Sequence, residues 1–335
     1  MIHIRKEVSL LPYNTFGIPA TASMFVEVDH VAELTDFIRT MPDPSAAVLL
    51  GGGSNTLFVS DRCEIIVCPV IKGIELMDET NGHVLVRAGA GETWDDFVHW
   101  CVGKNYAGVE NLSHIPGTVG ACPIQNIGAY GVEAKETIET VEAIEMATGQ
   151  SVSFNNQQCG FDYRDSFFKR NKGKYLITAV QFRLSTKFEP KIKYADLKTE
   201  LFRNAHITME TMRRAVISIR SRKLPDPMEL GNAGSFFKNP TVDAATSKDI
   251  SQLDPQAPLY PVSHEYWKIS AAWLIQQCGW RGIQIGNVGT HNRQPLVIVN
   301  YGGATGKEVL NFAGKIMDSV VDRFGVRLEP EVNIV

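Results

Sequence analysis

The stretch from Ile115 to Gly131, I-P-G-T-V-G-A-C-P-I-Q-N-I-G-A-Y-G, restricts this chain more than any other. Four glycines, two prolines and no charged residue fall within it. Glycine at this density is costly in a helix interior, and proline removes ladder hydrogen bonds from a central strand. What remains is a long uncharged loop whose backbone can come close to a flat ligand and offer it N–H groups. An irregular buried connection is the competing reading. Loops of this length without structure of their own are, however, mostly functional.

A second glycine-rich loop precedes it. Residues 47–50 form a short apolar strand that runs into Gly51-Gly52-Gly53-Ser54-Asn55. Consecutive glycines expose N–H groups, and Ser54 and Asn55 add donors, which suits a pyrophosphate. The motif is neither G-x-G-x-x-G nor a P-loop, because no Lys-Ser/Thr follows and the next residues read as strand. This argues against a Rossmann nucleotide site. An ordinary glycine-rich turn explains the motif equally well when it is taken alone. Paired with the Ile115–Gly131 stretch, it points to a long dinucleotide laid between two lobes.

The intervening periodicities give an α+β chain. Strand-like alternation over 23–28, a helix at Val31–Thr40 and strands at 47–50 and 64–70 make a small β-α-β lobe. A strand at 84–88 leads to a helix with Thr93 as N-cap, Trp94, Phe97, Val98, Cys101 and Val102 on one face, and Gly103 as its stop. Residues 138–146 and 151–154 read as a hairpin around Thr148-Gly149, followed by a strand at 175–184. A helix over 208–222 ends at Leu224-Pro225-Asp226-Pro227, a sharp break. Beyond it, 249–261 reads as loop, 270–278 as a helix stopped by Gly279, and 295–301 as a strand. Thr305 and Glu308 fit a capping box that opens a helix with Val309, Phe312, Ala313, Ile316, Val320 and Phe324 inward and Gly325 as its stop. Residues 326–335 alternate as a closing strand. The expected domains are 1–70, then 71–223 joined by the strand 326–335, and finally 224–325.

Composition narrows the function. A chain of 335 residues can bury the cores of two or three domains. Net charge is −4 and its lysines and arginines are scattered, so neither a nucleic-acid stripe nor a polybasic membrane patch is expected. No apolar run approaches the roughly 18 residues of a membrane helix. The start, M-I-H-I-R-K-E-V, lacks the apolar core and cleavage site of a signal peptide. The six cysteines form no C-x-x-C pair and read as reduced and buried, with the cytoplasm as expected compartment. His99, His114, His264 and His291 lack ligand spacing, so no metal is expected.

Further motifs follow in order: Y-R-D-S-F-F-K (163–169), G-N-A-G-S-F-F-K-N-P (231–240) and L-E-P-E-V (328–332). Together with the two glycine-rich stretches, over essentially the whole chain, this set resembles the UDP-N-acetylenolpyruvoylglucosamine reductase family. That family makes UDP-N-acetylmuramate for bacterial peptidoglycan. The resemblance implies a two-lobe FAD-binding fold of the vanillyl-alcohol-oxidase kind with a C-terminal α/β substrate-binding domain. The expected lobes are then 1–70 and 71–223, and the substrate domain 224–325. Two half-reactions are implied: NADPH reduces a non-covalently bound FAD, and the flavin then reduces the enolpyruvyl double bond. A monomer is expected.

Site residues carry over position by position. The cofactor set is Gly51, Gly52, Gly53, Ser54, Asn55, Pro116, Gly117, Gly120, Ala121, Gln125, Asn126 and Gly128, with Gly117, Gly120 and Gly128 as points of close approach. Hydride delivered to the β-carbon of an enol ether leaves enolate-like charge on the carboxylate and an α-carbon that needs a proton. Arg164 matches the family's cation for that carboxylate, and a guanidinium fork suits it. From its neighbours alone, Arg164 reads equally as the partner of Asp162 or Asp165. Ser235 matches the proton donor, with Gly231 and Gly234 giving it room. Alone it reads as a turn or N-cap serine, and no G-x-S-x-G elbow surrounds it. Glu331 matches the third catalytic residue, against the reading of a solvent-facing strand glutamate. Asn333 stands where the family usually continues with arginine. Tyr194, Lys223, Asn239 and Gln294 match substrate contacts. Lys223 suits a diphosphate as a point charge, or simply ends a helix; Tyr194 suits a mobile loop, or packing.

Overall fold

The structure, a computed structural model, describes residues 2–41, 43–202 and 206–335. They fall into two compact units. The first comprises Met1–Val8, Thr21–Gly53 and Arg62–Arg222, and the second Ser9–Ala20, Ser54–Asp61 and Lys223–Val335. The chain therefore leaves the first unit inside the G-G-G-S-N loop.

Two sheets build the first unit. One has the order Ile2–Ser9, Thr21–Val28, Arg62–Pro69, Ala47–Leu49, and its last three strands run parallel. The helix Val31–Thr40 closes this sheet by burying Leu34 and Ile38 in a cluster with Val26, Val28 and Val67. The other sheet has the order Ser151–Asn155, Ile138–Glu145, Tyr175–Ser185, His83–Gly89, Ile74–Thr80, antiparallel throughout. Its strands alternate, and the inward residues meet the apolar face of the helix Trp94–Gly103. Phe97 and Phe182 stack there with ring centroids 4.6 Å apart. Aromatic pairs of this kind add about 1 kcal/mol beyond their buried area. The helices Ala195–Leu201 and Met209–Lys223 share a separate small core of Leu197, Leu201, Met212, Ala215, Val216 and Ile219.

In the second unit the sheet order is Gly231–Ser235, Val297–Asn300, Val288–Thr290, Gln284–Ile285, again antiparallel. The helix Gly306–Phe324 carries the capping box of Thr305 and Glu308 and ends on Gly325 at φ 65°. Its buried face is the one the spacing predicts, Val309, Phe312, Ala313, Ile316, Val320 and Phe324. The short strand Asn333–Ile334 pairs in parallel with Thr56–Leu57.

The structure corrects several local readings. The stretch 249–261 is not all loop, because Ala244–Leu253 is a helix capped by Asp243, which accepts from the Thr246 amide at 2.8 Å. Its polar composition hid it. Strand is confined to Asn333–Ile334 rather than 326–335, since Glu329–Glu331 bond to Phe236–Lys238 as an irregular ladder. The edge strands Ile2–Ser9 and Ile74–Thr80 are almost wholly exposed, so no inward set of apolar residues marks them. Thr93 does occupy the N-cap position, but its side chain makes no capping bond.

Candidate active site

Two backbones meet closely in the first unit. A Cβ at Gly52 would lie 3.0 Å from the Gly117 Cα, and one at Gly51 would lie 3.0 Å from Thr118 Oγ1. The glycine at 52 is therefore dictated by close approach of main chain to main chain, and Gly117 takes φ 117°, a conformation that favours glycine. The second stretch is pinned from behind. Gly117 O accepts from the Trp94 amide at 3.0 Å, Val119 N donates to Glu92 O at 2.8 Å, and Gly120 N donates to Ala90 O at 2.9 Å. Gly120 is buried and its contribution is a close seat on Ala90, where a Cβ would come within 2.6 Å of the Ala90 methyl. The amides of Gly51, Gly52 and Gly53 donate to no acceptor among the described residues. Three successive unbonded amides on a bend, with Gly53 at φ 64°, fit the pyrophosphate of a dinucleotide. Pro116 is exposed on this loop, and Ala121 and Gln125 are half-buried. Asn126 is fully buried at φ 45°, and its side chain serves the loop itself. Nδ2 donates to Glu133 and to Asp162 O, and Oδ1 accepts from the Lys135 amide.

Arg164 joins the same stretch. A tight turn, closed by Asp162 and Asp165 bonding to each other's backbone, holds Arg164 at φ 54°. Its guanidinium donates to Gly128 O at 2.7 Å and to Asn126 O at 3.4 Å. Gly128 makes the space for it, since a Cβ there would fall 2.9 Å from Arg164 Nη1. Asp165 is engaged by Arg170. Tyr194, half-exposed at the start of the helix Ala195–Leu201, sets its ring edge-on to Tyr130 at 6.0 Å. Asn111 ties the two segments by donating to Tyr130 O and Lys191 O.

A charged lock fixes the mouth of the loop. Asp95, in the first turn of the helix Trp94–Gly103, accepts both Nη groups of Arg213 at 2.6 and 2.8 Å and the His114 amide at 2.5 Å. Burial pushes the Asp95 carboxyl up. The hydrogen bonds from Arg213 and His114, with their charges, outweigh that and hold it below the usual carboxylate range. A depressed carboxyl contributes stability above its unfolded pKa of about 3.9, and that contribution is lost as pH falls through the folded value. The pair is partly exposed, so Asp95→Asn costs about 2 kcal/mol at pH 7, below the usual cost of breaking a fully buried pair. Urea unfolding checks this: the gap between variant and parent narrows between pH 5 and pH 3, and a gap that stays constant removes the linkage.

In the second unit a β-bulge aims Ser235. Gly231 and Asn232 pair with Asn300 and Val299, but Ser235 pairs with Val297, so the register shifts across Ala233-Gly234. Gly234 takes φ 70°, a conformation that favours glycine. The buried Asn232 side chain stitches the bulge, accepting from Gly234 N at 2.9 Å and donating to Leu230 O at 2.8 Å. Gly231 has a different task from the room for Ser235 that its position implied: a Cβ there would lie 2.4 Å from Phe16 O. Immediately after Ser235, Phe236 O accepts from the Glu331 amide at 2.7 Å. Asn55 Nδ2 donates to Glu331 O at 3.2 Å, and Asn333 donates to Asn55 O through both its amide and its side chain. Ser235, Glu331 and Asn55, dispersed in sequence, thus share one backbone network, and Asn333 has a role in it. Glu329 is exposed and pairs with Lys238 at 3.7 Å, whereas Glu331 is half-buried.

The remaining positions are more peripheral. Lys223 ends its helix and is exposed. Asn239 Oδ1 accepts from the Ala271 amide at 2.9 Å at the head of the helix Ala271–Gln277. Gln294 O closes the turn before Val297–Asn300. Sequence reasoning missed Asp95, Arg213 and Arg220. The available signal was an arginine inside the buried stripe of the helix Met209–Lys223, with a second arginine two turns on. No group of potential metal ligands occurs among the described residues, and none of the described helices is long and apolar enough to cross a membrane.

Comparison with known proteins agrees along the chain. A model of the UDP-N-acetylenolpyruvoylglucosamine reductase C-terminal domain matches residues 226–335, and an FAD binding domain model matches residues 22–155. The UDP-N-acetylenolpyruvoylglucosamine reductase of Amoebophilus asiaticus is 46% identical over 99% of both chains. That of Burkholderia ambifaria is 46% identical over 97% of this chain and 96% of its own. The crystal structure of the Thermus caldophilus UDP-N-acetylenolpyruvylglucosamine reductase shares the fold, with a TM-score of 0.70 at 22% identity, over 100% of this chain and 99% of that one.

Proposed function

The chain belongs to the UDP-N-acetylenolpyruvoylglucosamine reductase family, and from that premise we propose that it uses NADPH to reduce UDP-N-acetylglucosamine enolpyruvate to UDP-N-acetylmuramate. It is an FAD-dependent oxidoreductase of peptidoglycan precursor synthesis, with the α+β two-lobe FAD-binding fold of the vanillyl-alcohol-oxidase type and a C-terminal α/β domain. When bound, FAD supplies the two-electron relay between the pyridine nucleotide and the enolpyruvyl double bond. Gly51–Gly53 would hold its pyrophosphate by N–H donation, with the Gly117 segment packed against them.

The protein's own residues then handle charge and proton. Arg164, fixed by two backbone carbonyls of the loop, clamps the substrate carboxylate and stabilises the negative charge that grows there. Ser235, aimed by its bulge, gives its hydroxyl proton to the α-carbon. Glu331 orients the substrate and assists that transfer. Lys223 meets the diphosphate, Tyr194 covers the nucleotide from its exposed position on Tyr130, and Asn239 and Gln294 complete the substrate contacts. The observation that carries this reading is the Phe236–Glu331 backbone bond, which joins the segments of Ser235 and Glu331 although nearly a hundred positions separate them. Non-covalent FAD, a monomer and the cytoplasm belong to the same reading, and the preference for NADPH over NADH rests on the family.

The test is spectroscopic. The purified protein is yellow, and NADPH bleaches it under anaerobic conditions. Colour returns on adding UDP-N-acetylglucosamine enolpyruvate and not on adding an unrelated phenol or sugar. Reoxidation by either of those, or by oxygen at a comparable rate, makes the protein an oxidase of the same fold instead.

A further inference from the structure

Asn111 is a fully buried polar residue that takes no part in the reaction above. It lies in the single 3-10 turn Glu110–Leu112, just before the Ile115–Gly131 loop. Its Nδ2 donates to Tyr130 O at 3.1 Å and to Lys191 O at 2.9 Å. Both partners are acceptors, so the amide has one orientation and its Oδ1 is turned away from them. That oxygen is buried and accepts from no donor among the described residues. An unpaired buried acceptor is costly, and an apolar side chain of similar volume would not incur that cost. What the asparagine alone adds is a bridge between two backbone segments.

One of those segments carries Tyr194. Residues 187–194 form a strap without helix or strand between Tyr175–Ser185 and the helix Ala195–Leu201. The strap lies on the corner of the loop at Tyr130. Phe188, Ile192 and Tyr130 all pack against the small core of Leu197, Met212 and Val216. Lys191 pairs with Glu136, and the Tyr194 ring meets Tyr130 edge-on at 6.0 Å. The strap passes over Gly131, where a Cβ would lie 3.5 Å from Tyr194 Cε2 and 3.6 Å from Lys193 Cδ. Magnitudes separate these contacts. The Lys191–Glu136 pair is partly exposed on both sides, and such a pair is worth a factor of about five at most. A shielded carbonyl deprived of its donor costs about tenfold. Asn111 serves two such carbonyls, so it decides where Lys191 sits, and Tyr194 follows three residues on.

We propose that Asn111 is a positioning residue for the substrate: it seats the 187–194 strap on Tyr130, so that Tyr194 is in place before the nucleotide diphosphate arrives. The proposal rests on the reductase reading for the ligand of Tyr194, but the seating of the strap is measured without any ligand. A strap ordered beforehand loses little freedom on binding. The benefit of Asn111 therefore appears in affinity for the nucleotide and not in the chemical step, and it passes through Tyr194.

The experiment uses the FAD-loaded full chain and the variant Asn111→Leu, which keeps the volume and removes the bridge. Hydrogen exchange without ligand comes first. Peptides covering 187–194 exchange about tenfold faster in the variant, while those of the helix Trp94–Gly103 match the parent. Calorimetry with UDP follows. Its dissociation constant rises about tenfold in Asn111→Leu, and by less than about twofold when the same change is made in Tyr194→Ala, because coupled residues are not additive. In turnover, KM for the enolpyruvyl substrate rises in step and kcat holds within about twofold. If Asn111→Leu does not fold, Asn111→Ser takes its place with the same three expectations. Unchanged exchange over 187–194 overturns the proposal. An equal loss of UDP affinity with and without the Tyr194 ring makes Asn111 merely structural and overturns it too, as does a fall in kcat at constant KM. Faster exchange of the strap in a chain whose parent binds no UDP leaves the seating of the strap standing and removes the reductase reading.

Discussion

Ser235→Ala bleaches with NADPH at the parent rate, and its recolouring by UDP-N-acetylglucosamine enolpyruvate slows by about 10²–10⁴-fold, the usual worth of a positioned proton donor. The split between the two half-reactions is the point. A serine hydroxyl is a poor acid in water, so its value lies in placement. Here placement comes from the bulge at Ala233-Gly234 and from the buried Asn232 that stitches it. Removing one oxygen leaves that framework whole, because the bonds of the bulge run through Asn232 and through the backbone of Phe236. The FAD-binding segment is likewise unaltered. Stopped-flow absorbance separates the steps. Equal slowing of both would point to a distorted fold, and an unchanged second step would take Ser235 out of the reaction. The proton-donor role carries a secondary expectation: Ser235→Cys, which keeps an ionisable proton, retains more of the second step than alanine does.

The residues that hold the site together were harder to read than the residues proposed to act in it. Gly51–Gly53 and the Ile115–Gly131 stretch declared themselves, because backbone that must approach backbone tolerates only glycine, and glycine is visible in a sequence. The long helix from Gly306 was equally plain, since a capping box, a 3.6-residue stripe and a left-handed Gly325 all agree. The Asp95–Arg213–His114 lock was not legible. Each of its members is an ordinary charged or polar residue, and their meeting is decided by tertiary packing over more than a hundred positions. Asn333 shows the same limit. As a departure from the family's arginine it read only as a missing cation, while its actual bonds to Asn55 exist because a two-residue strand pairs with Thr56–Leu57. The helix Ala244–Leu253 and the exposed edge strands escaped for a simpler reason, as they bury too little to impose a period on their sequences.

Gly52→Val is expected to yield a colourless protein. The new Cβ would sit 3.0 Å from the Gly117 Cα and 3.5 Å from its carbonyl carbon, both main-chain atoms that cannot rotate away. The γ-methyls extend further into the same seam. Either the Gly117 segment moves, which strains its bonds to Trp94, Glu92 and Ala90, or the Gly51–Gly53 bend opens. Both outcomes misplace the amides proposed to meet the pyrophosphate. Overpacking of this kind costs about 1–3 kcal/mol, and each misaligned bond to a charged group about 1.5–3 kcal/mol more. Together these weaken FAD binding by at least about 100-fold, at 1.4 kcal/mol per tenfold. Gly103→Ala is the control, because a Cβ there meets nothing within 4 Å and its φ is ordinary. That variant keeps its colour and its affinity. Far-UV circular dichroism of Gly52→Val stays near the parent spectrum, since both sheets of the first unit are built without residue 52. Equilibrium dialysis against FAD supplies the decisive number. A Gly52→Val protein that is native by dichroism and binds FAD as tightly as its parent would show that the seam between Gly52 and Gly117 only packs the chain, and the cradle would have to be sought elsewhere.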